Sequence, residues 1–517
     1  MSALLLPGEI VSVHARLRPD QLGARDSRRA LTFAQWNARA CALANALLGL
    51  GLVKGDRVGV LAYNRLEWME IYVALAKAGL VAVPINFRLL GPEVTYIATH
   101  CRARALIVED DLVERAEPAR NALGLAASAC IAMGASVANG WTAYEDLIAQ
   151  GAEREPATPV AASDTWALMY TSGTTGHPKG AIRNHRGSAL ISLVTALDMG
   201  LGTRDTALLV MPMCHANSLY FAFTFTYLGA PVVVDDRRHF DPEALLATMA
   251  QHRVTFTSLV PTHYILTLAL PAATRSRYDV SSVRKLMISS APARKDTKLA
   301  ILEHFANSEL YELYGSTEAG WVTLLRPDEQ IEHLGSVGRE WTGSGPVKIM
   351  DPARNEVPDG AVGELYSRTP YAFDGYLDDP VKTAEAMHGE HCTVGDLARR
   401  DEQGFIHLVD RKSNMIISGG ENVYPSEVEN LLGRYPGVRD VAVIGVPHAT
   451  WGEAVHAVIV MQDGASARES DIIDWCRDRI AGYKRPRSVA FIAESEMPRT
   501  ATGKIQHRVL RERFARR

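Results

Sequence analysis

Residues 170–180 read YTSGTTGHPKG, which sets three glycines, four hydroxyls and one lysine between two apolar segments. Glycine lets a backbone turn its N–H groups toward an anion with no Cβ in the way. Thr171, Ser172, Thr174 and Thr175 add hydroxyl donors, Gly173 and Gly176 add freedom to turn, and Lys179 adds positive charge. This is the chemistry of a loop that holds a polyphosphate, and it predicts ATP as a ligand. It is not a Walker loop, which requires GxxxxGK, then Ser or Thr, then a helix. Here Gly180 follows Lys179, and the flanks at 166–170 and 181–182 read as short strands. Strand, mobile loop, strand suits a flap that closes over a triphosphate. An ordinary turn-rich surface loop has a similar composition.

Four more polar segments carry chemistry. YELYGSTEAG at 311–320 gathers Tyr314, Gly315, Ser316, Thr317 and Glu318 into one turn after a strand. A carboxylate beside hydroxyls is the donor set of a Mg²⁺ and phosphate corner, and also that of a plain polar turn. TVGDLA at 393–398 offers Asp396 as an acceptor for ribose hydroxyls. DRKSNMIISGGENVYPSEVE at 410–429 joins a charged turn to an apolar strand and a Gly-Gly loop, and PRTATGKIQHRVLR at 498–511 sets Lys504 after a glycine.

The elements that must position these segments show in the patterning. The chain has 517 residues, too many for one ordinary core, so two or more domains are expected. Hydrophobic residues make up 47% and charged residues 22%, as in a globular protein. A formal net charge of −4 supplies no broad basic field, which argues against nucleic acid as a partner. Cys41, Cys101, Cys130, Cys214, Cys392 and Cys476 are scattered, with no CxxC pair and no metal-ligand spacing, as in a reduced cytoplasmic protein. No apolar run is long enough to span a bilayer, and Pro7 and Gly8 interrupt the apolar start.

From about 30 to 310, helical patterns alternate with short apolar runs, the signature of a parallel sheet covered by helices. Thr32 and Gln35 form a capping box, Phe33, Trp36, Leu43 and Leu47 an apolar stripe, and Gly49 or Gly51 a stop. Strands are expected at 57–62, 206–211, 231–234, 255–259, 285–289 and 310–314, with helices at 242–251 and 295–305. Around 335–410 the rhythm changes to short β-like pieces, an antiparallel subdomain. Beyond 411, strands at 441–446, 455–461 and 489–492 and a helix at 469–480 read as a small α+β lid. The expected fold class is therefore α/β: layered, mostly parallel sheets with helices, a β-rich subdomain, and a small mobile C-terminal α+β lid.

Together and in this order, the five segments resemble the adenylate-forming superfamily of acyl-CoA synthetases, nonribosomal adenylation domains and luciferases. The resemblance runs from LTFAQW at 31–36 to KIQHRVLR at 504–511. It implies an N-terminal adenylation domain at 1–412 and a C-terminal lid at 413–517 that rotates between two half-reactions. The activity implied is activation of a fatty, aryl or alicyclic acid by ATP and Mg²⁺ to acyl-AMP with pyrophosphate release, then transfer to coenzyme A. Loading of a separate carrier protein is the alternative, and the enzyme is expected to act as a monomer or homodimer.

Carried over residue by residue, the loop from Thr171 to Lys179 binds the β- and γ-phosphates. Ser290, Ala291 and Pro292 line the adenine site with Glu312, Tyr314 and Gly315. Thr317 touches the α-phosphate and Glu318 holds Mg²⁺, while Asp396 and Arg411 bind the ribose. Lys504 reaches the α-phosphate and the substrate carboxylate. Ser418, Gly419 and Gly420 arrive beside the pantetheine arm in the second half-reaction. His215, in MPMCHANSL, matches a gate beside the acyl site, with Tyr220, Thr262, His263 and Tyr264 on the opposite wall by position. Three departures stand out: Ser413 and Asn414 at the hinge, Ser289 and Ser290 for a glycine pair, and bulky Trp321. The last two argue against an open long-chain tunnel.

Overall fold

The computed structural model describes every residue except 1–3, 172–177, 291–292, 419–420, 478, 501–502 and 516–517. The predicted sites Ser172, Gly173, Thr174, Thr175, Gly176, Ala291, Pro292, Gly419 and Gly420 lie outside the described residues. The chain divides into two compact units, Met1–Pro346 with Ser367–Cys392, and Val347–Tyr366 with Thr393–Arg517.

Two sheets organise the first unit. A seven-stranded sheet runs Thr142–Ala143, Cys130–Met133, Ala105–Glu109, Arg57–Leu61, Val81–Ile85, Thr165–Thr171 and Lys179–Asn184, parallel except for its last pair. A nine-stranded sheet has a parallel centre of Leu22–Arg25, Val232–Val234, Ala207–Leu209, Phe256–Leu259, Lys285–Ser289 and Glu309–Ser316. Its edges are antiparallel, Ala30–Thr32 at one side and Gly320–Leu325 then Arg339–Glu340 at the other. Central parallel strands such as Val81–Ile85, Ala207–Leu209 and Val232–Val234 read as unbroken apolar runs because both faces are covered. Val58, Val60, Ala207, Leu209 and Met287 enter one shared core, while Leu61 and Leu106 face a second cluster and Leu208, Leu286 and Ile288 a third. Helices Phe33–Gly49, Glu67–Ala78, His185–Asp198 and Ala216–Leu228 feed the shared core.

The capping box forms as read: the Gln35 N–H donates to Thr32 Oγ1 and the Thr32 N–H donates to Gln35 Oε1. Every residue of Glu67–Ala78 is buried, so its charges need partners. Glu67 meets Arg65 at 2.7 Å, Glu70 meets Arg39 at 2.7 Å, and Lys77 meets Glu155 at 2.7 Å.

The second unit holds an antiparallel sheet of Lys348–Met350, Gly363–Tyr366, Asp396–Arg400 and Ile406–Arg411, as the change of rhythm predicts. A five-stranded sheet follows, with Gly452–Met461 at its centre between Val438–His448 and the strands Ile416–Ser418 and Ser488–Phe491. Alternation again splits its faces: Val441, Val443 and Val455 join one core, Ala442, Ile444 and Val458 the other. Among the described residues no helix is long and apolar enough to cross a membrane.

Candidate active site

Two hairpins meet at the ends of the two large sheets. In the first, Thr165–Thr171 pairs antiparallel with Lys179–Asn184, and the register places Thr171 opposite Lys179. In the second, Glu309–Ser316 turns through Thr317 and Glu318 into Gly320–Leu325. Gly315 is required there, because a Cβ would lie 2.3 Å from the Gly320 carbonyl oxygen. The hairpins touch through Thr171 Oγ1, which donates to Glu318 Oε1 at 3.3 Å. Tyr376 donates its phenol to the same oxygen at 2.8 Å. Its ring lies under the Lys179 ammonium, 4.1 Å from Nζ to the centroid. Partial burial lowers the Lys179 pKa, and Glu318 offsets part of that shift.

The turn that carries Thr317 and Glu318 is fixed by its backbone. Arg183, 1% exposed, donates to the carbonyls of Thr317 at 3.0 Å, Glu318 at 2.8 Å and Tyr371 at 2.5 Å. The Phe373 N–H adds a bond to the Glu318 carbonyl, and Thr369 Oγ1 one to that of Ala319. Neither Arg183 nor Tyr376 is flagged by the sequence motifs. The signal that could have found Arg183 is its alternation with Ala181, which puts a charge on the buried face of a short strand, where it needs partners.

The adenine-site candidates sit on neighbouring strand ends. Ser290 follows Lys285–Ser289 with φ of 69°, the left-handed region that a glycine occupies without strain. Serine at the place of the family's glycine therefore carries a backbone cost. Ser289 Oγ accepts from Asn217 Nδ2 at 3.0 Å and lies 3.2 Å from Ser258 Oγ, a polar knot in the sheet. Glu312 is buried and ion-paired at 2.5 Å with Lys298, itself fully buried. Burial raises the Glu312 pKa, while Lys298 and the Ala293 N–H pull it down. Glu312 thus braces the backbone just beyond Pro292. Tyr314 is buried on the same strand.

His215 precedes helix Ala216–Leu228 on a loop clamped by Asn64. Asn64 Oδ1 accepts the Met213 N–H at 2.8 Å and Nδ2 donates to the Met211 carbonyl at 3.1 Å. Tyr220 is fully buried, edge-on to Trp321 at 5.5 Å, and Phe221 tilts against the same indole at 5.4 Å. The Trp321 N–H donates to Thr195 Oγ1. Of the other wall residues, His263 stacks on Phe240 at 4.0 Å, and Tyr264 belongs to the outer core beside Leu286 and Ile288.

The second unit gathers Asp396, Arg411 and Lys504. Asp396 and Arg411 are cross-strand partners, with Nε 3.1 Å from Oδ1. Lys504 presents an exposed residue surface, yet its ammonium is desolvated and repelled by Arg411, which lowers its pKa against the pull of Asp396. Its backbone carbonyl accepts the Thr500 N–H at 2.7 Å. Ser418 ends the strand Ile416–Ser418, buried opposite Gly452.

A family model described as AMP-binding enzyme matches residues 11–377, and one described as AMP-binding enzyme C-terminal domain matches residues 427–504. A feruloyl-CoA synthase of an Amycolatopsis species is 36% identical over 97% of both chains. An indoleacetate–CoA ligase of Aromatoleum aromaticum is 33% identical over 98% of both. The crystal structure of the anthranilate CoA ligase AuaEII with anthranoyl-AMP superposes with a TM-score of 0.89 at 29% identity, covering 99% of this chain and 98% of that one. With both of its family models matched in order and full-length relatives above 30% identity, this chain belongs to the AMP-binding enzyme family, the adenylate-forming superfamily of acyl-CoA synthetases.

Proposed function

We propose that this AMP-forming acid–thiol ligase acts on an aromatic or arylalkanoic carboxylic acid. Such an acid is first joined to AMP with loss of pyrophosphate, and the acyl group then passes to the thiol of coenzyme A. The observation that carries the reading is the junction of Thr171, Lys179 and Glu318, where a cation, hydroxyls and a carboxylate converge at the ends of two sheets. Carboxylate and triphosphate are both anions, so donors must be in place before they approach. Lys179 meets the outer phosphates and Thr317 the α-phosphate. Asp396 and Arg411 hold the ribose, and Lys504 draws the acid carboxylate to phosphorus. Ser290, Glu312, Tyr314 and Gly315 shape the adenine site, and Ser418 serves the thiol arm. His215 orients the acid.

The residues fit a magnesium ion by their chemistry: Glu318 offers carboxylate oxygen, the ligand type this hard cation prefers, and its turn is held rigid by Arg183. Bound there, Mg²⁺ would neutralise phosphate charge. Aromatic acids are supported by the names of three of the relatives, a feruloyl-CoA synthase, an indoleacetate–CoA ligase and an anthranilate CoA ligase. The reading also draws on the buried aromatic cluster that Trp321 forms with Tyr220 and Phe221, ring surface of the kind a flat aryl group packs against. Coenzyme A rather than a carrier protein is favoured by the same names.

The test is mass-spectrometric detection of acyl-AMP and acyl-CoA from aryl, arylalkanoic, alicyclic, short-chain and long-chain acids with MgATP and coenzyme A. Aryl-CoA products support the reading. Turnover of long-chain acids alone would overturn the substrate class, and acyl-AMP that never passes to coenzyme A would overturn the acceptor.

A further inference from the structure

The phosphate-loop lysine and the carboxylate of the 317–318 turn belong to different sheets, and the side chain of Tyr376 touches both. Tyr376 lies outside the strands of both sheets, on a segment bridged antiparallel to Ala181 of the first hairpin. It follows Gly375, whose φ of 128° sets the backbone here, and its N–H is held by Thr383 Oγ1 at 2.9 Å. Thr383 in turn donates to the Asp379 carbonyl at 2.8 Å. The segment is also stitched to the first hairpin: the Ile182 N–H donates to the Gly375 carbonyl, and the Leu377 N–H to the Gly180 carbonyl. Tyr376 is thus fixed at its backbone before its side chain makes any contact.

Two contacts follow, and they differ in kind. The ring face lies 4.1 Å from the Lys179 ammonium, and the phenol donates to Glu318 Oε1 at 2.8 Å. The tyrosine is 6% exposed and Glu318 5%, so water competes poorly for either contact. Both hydroxyl bonds to Glu318, from Tyr376 and from Thr171, fall on Oε1. A carboxylate held through one oxygen is fixed in rotation and presents the other toward a cation. Residues that orient a metal-binding carboxylate in this way typically govern metal affinity by 10- to 100-fold, as an order of magnitude.

We propose that Tyr376 is a positioning residue that couples the phosphate loop to the metal-binding carboxylate, with its phenol orienting Glu318 and its ring face seating Lys179. The inference rests on the proposed role of Glu318 as the Mg²⁺ ligand. It goes further in assigning separate jobs to the two parts of one side chain, so the two parts can be removed one at a time.

Tyr376→Phe keeps the ring and deletes the phenol, and Tyr376→Leu deletes both. Binding is read by calorimetry in three titrations on the full chain: MgATP, ATP in EDTA, and pyrophosphate in EDTA. For Tyr376→Phe, metal-free ATP and pyrophosphate should bind as in the wild type, while the Mg²⁺ concentration for half-maximal MgATP binding rises about 10-fold. Tyr376→Leu should in addition weaken metal-free pyrophosphate binding several-fold. Circular dichroism confirms that the variants are folded, and Glu318→Gln serves as the reference for loss of the metal ligand. An unchanged Mg²⁺ requirement in Tyr376→Phe, with Glu318→Gln impaired, would overturn the role of Tyr376 alone. Equal weakening of all three titrations by Tyr376→Phe would reduce the residue to a structural one. If Glu318→Gln itself binds MgATP as the wild type does, the metal assignment fails and the inference with it.

Discussion

Arg183 brings a positive charge into the core and donates to three backbone carbonyls, those of Thr317, Glu318 and Tyr371. A planar fork suits that task, and a lysine's single ammonium cannot reproduce it. Arg183→Met should leave those buried carbonyls short of donors, at a cost of roughly 3 kcal/mol in stability. MgATP affinity should fall by about 10-fold or more, since the turn carrying Glu318 loses its brace. Arg183→Lys should recover little of either. Urea unfolding and calorimetric titration check both effects. A folded Arg183→Met that binds MgATP normally would show that the turn keeps its shape without the fork. The same scale explains why Ser290 is informative: a left-handed φ on a serine is a cost retained at the edge of a proposed nucleotide site.

At the scale of elements, the C-terminal helix His507–Phe514 shows how a short helix is held. Leu510 and Phe514 are buried, Arg511 donates to the carbonyls of Ser413 and Asn414 at 3.3 Å each, and His507 meets Glu429 at 2.6 Å. Burial alone would lower the His507 pKa, but Glu429, helped by Asp410 and the Ile505 backbone, raises it above 6.5. A raised folded value means stability present below the unfolded pKa and lost as pH rises through the folded one. Wild type should therefore exceed His507→Gln in melting temperature by a few degrees near about pH 6, and by less near about pH 9. An equal gap at both pH values would remove the charged pair from the account. Much of this element level is legible in the sequence. Thr32 and Gln35 announce a helix start, Pro242–Gln251 forms as read, and Lys285–Ser289 is a strand to the residue. Fully buried helices are harder, because Glu67–Ala78 buries every face and leaves no amphipathic stripe to read. The helix expected at 469–480 stops at Trp475, where the Cys476 and Arg477 N–H groups bond three residues back and tighten the turn. At the site, Thr171, Lys179 and Glu318 are legible because their motifs are local. Tyr376 lies 58 positions from Glu318 and Arg183 lies 135 from it, so no spacing rule brings them together.

At the scale of the whole molecule, the residues proposed for the chemistry fall in two compact units, Lys179 and Glu318 in one and Asp396, Arg411 and Lys504 in the other. Two half-reactions on one acyl group need different donors in turn, which is the argument for a lid at 413–517 that rotates between them. In the proposed rotation Ser413 and Asn414 are the hinge, and Arg511 donates to both of their carbonyls. Two variants act on different parts of this scheme. Lys504→Ala removes a donor needed only while the acid attacks phosphorus, so pyrophosphate release should fall by about 10² to 10³. Supplied acyl-AMP should still pass to coenzyme A. Ser413→Pro instead fixes φ at the hinge and restrains the residue before it. It should leave one half-reaction near normal and slow the other by about 100-fold, because a lid held in one orientation misplaces the groups for its second task. Each half-reaction is measured alone, the first by pyrophosphate release without coenzyme A, the second by acyl-CoA formation from synthetic acyl-AMP. If Ser413→Pro slows both steps equally, or neither, residue 413 is not the pivot. If Lys504→Ala stops both, Lys504 serves both half-reactions and the rotating lid fails as their explanation.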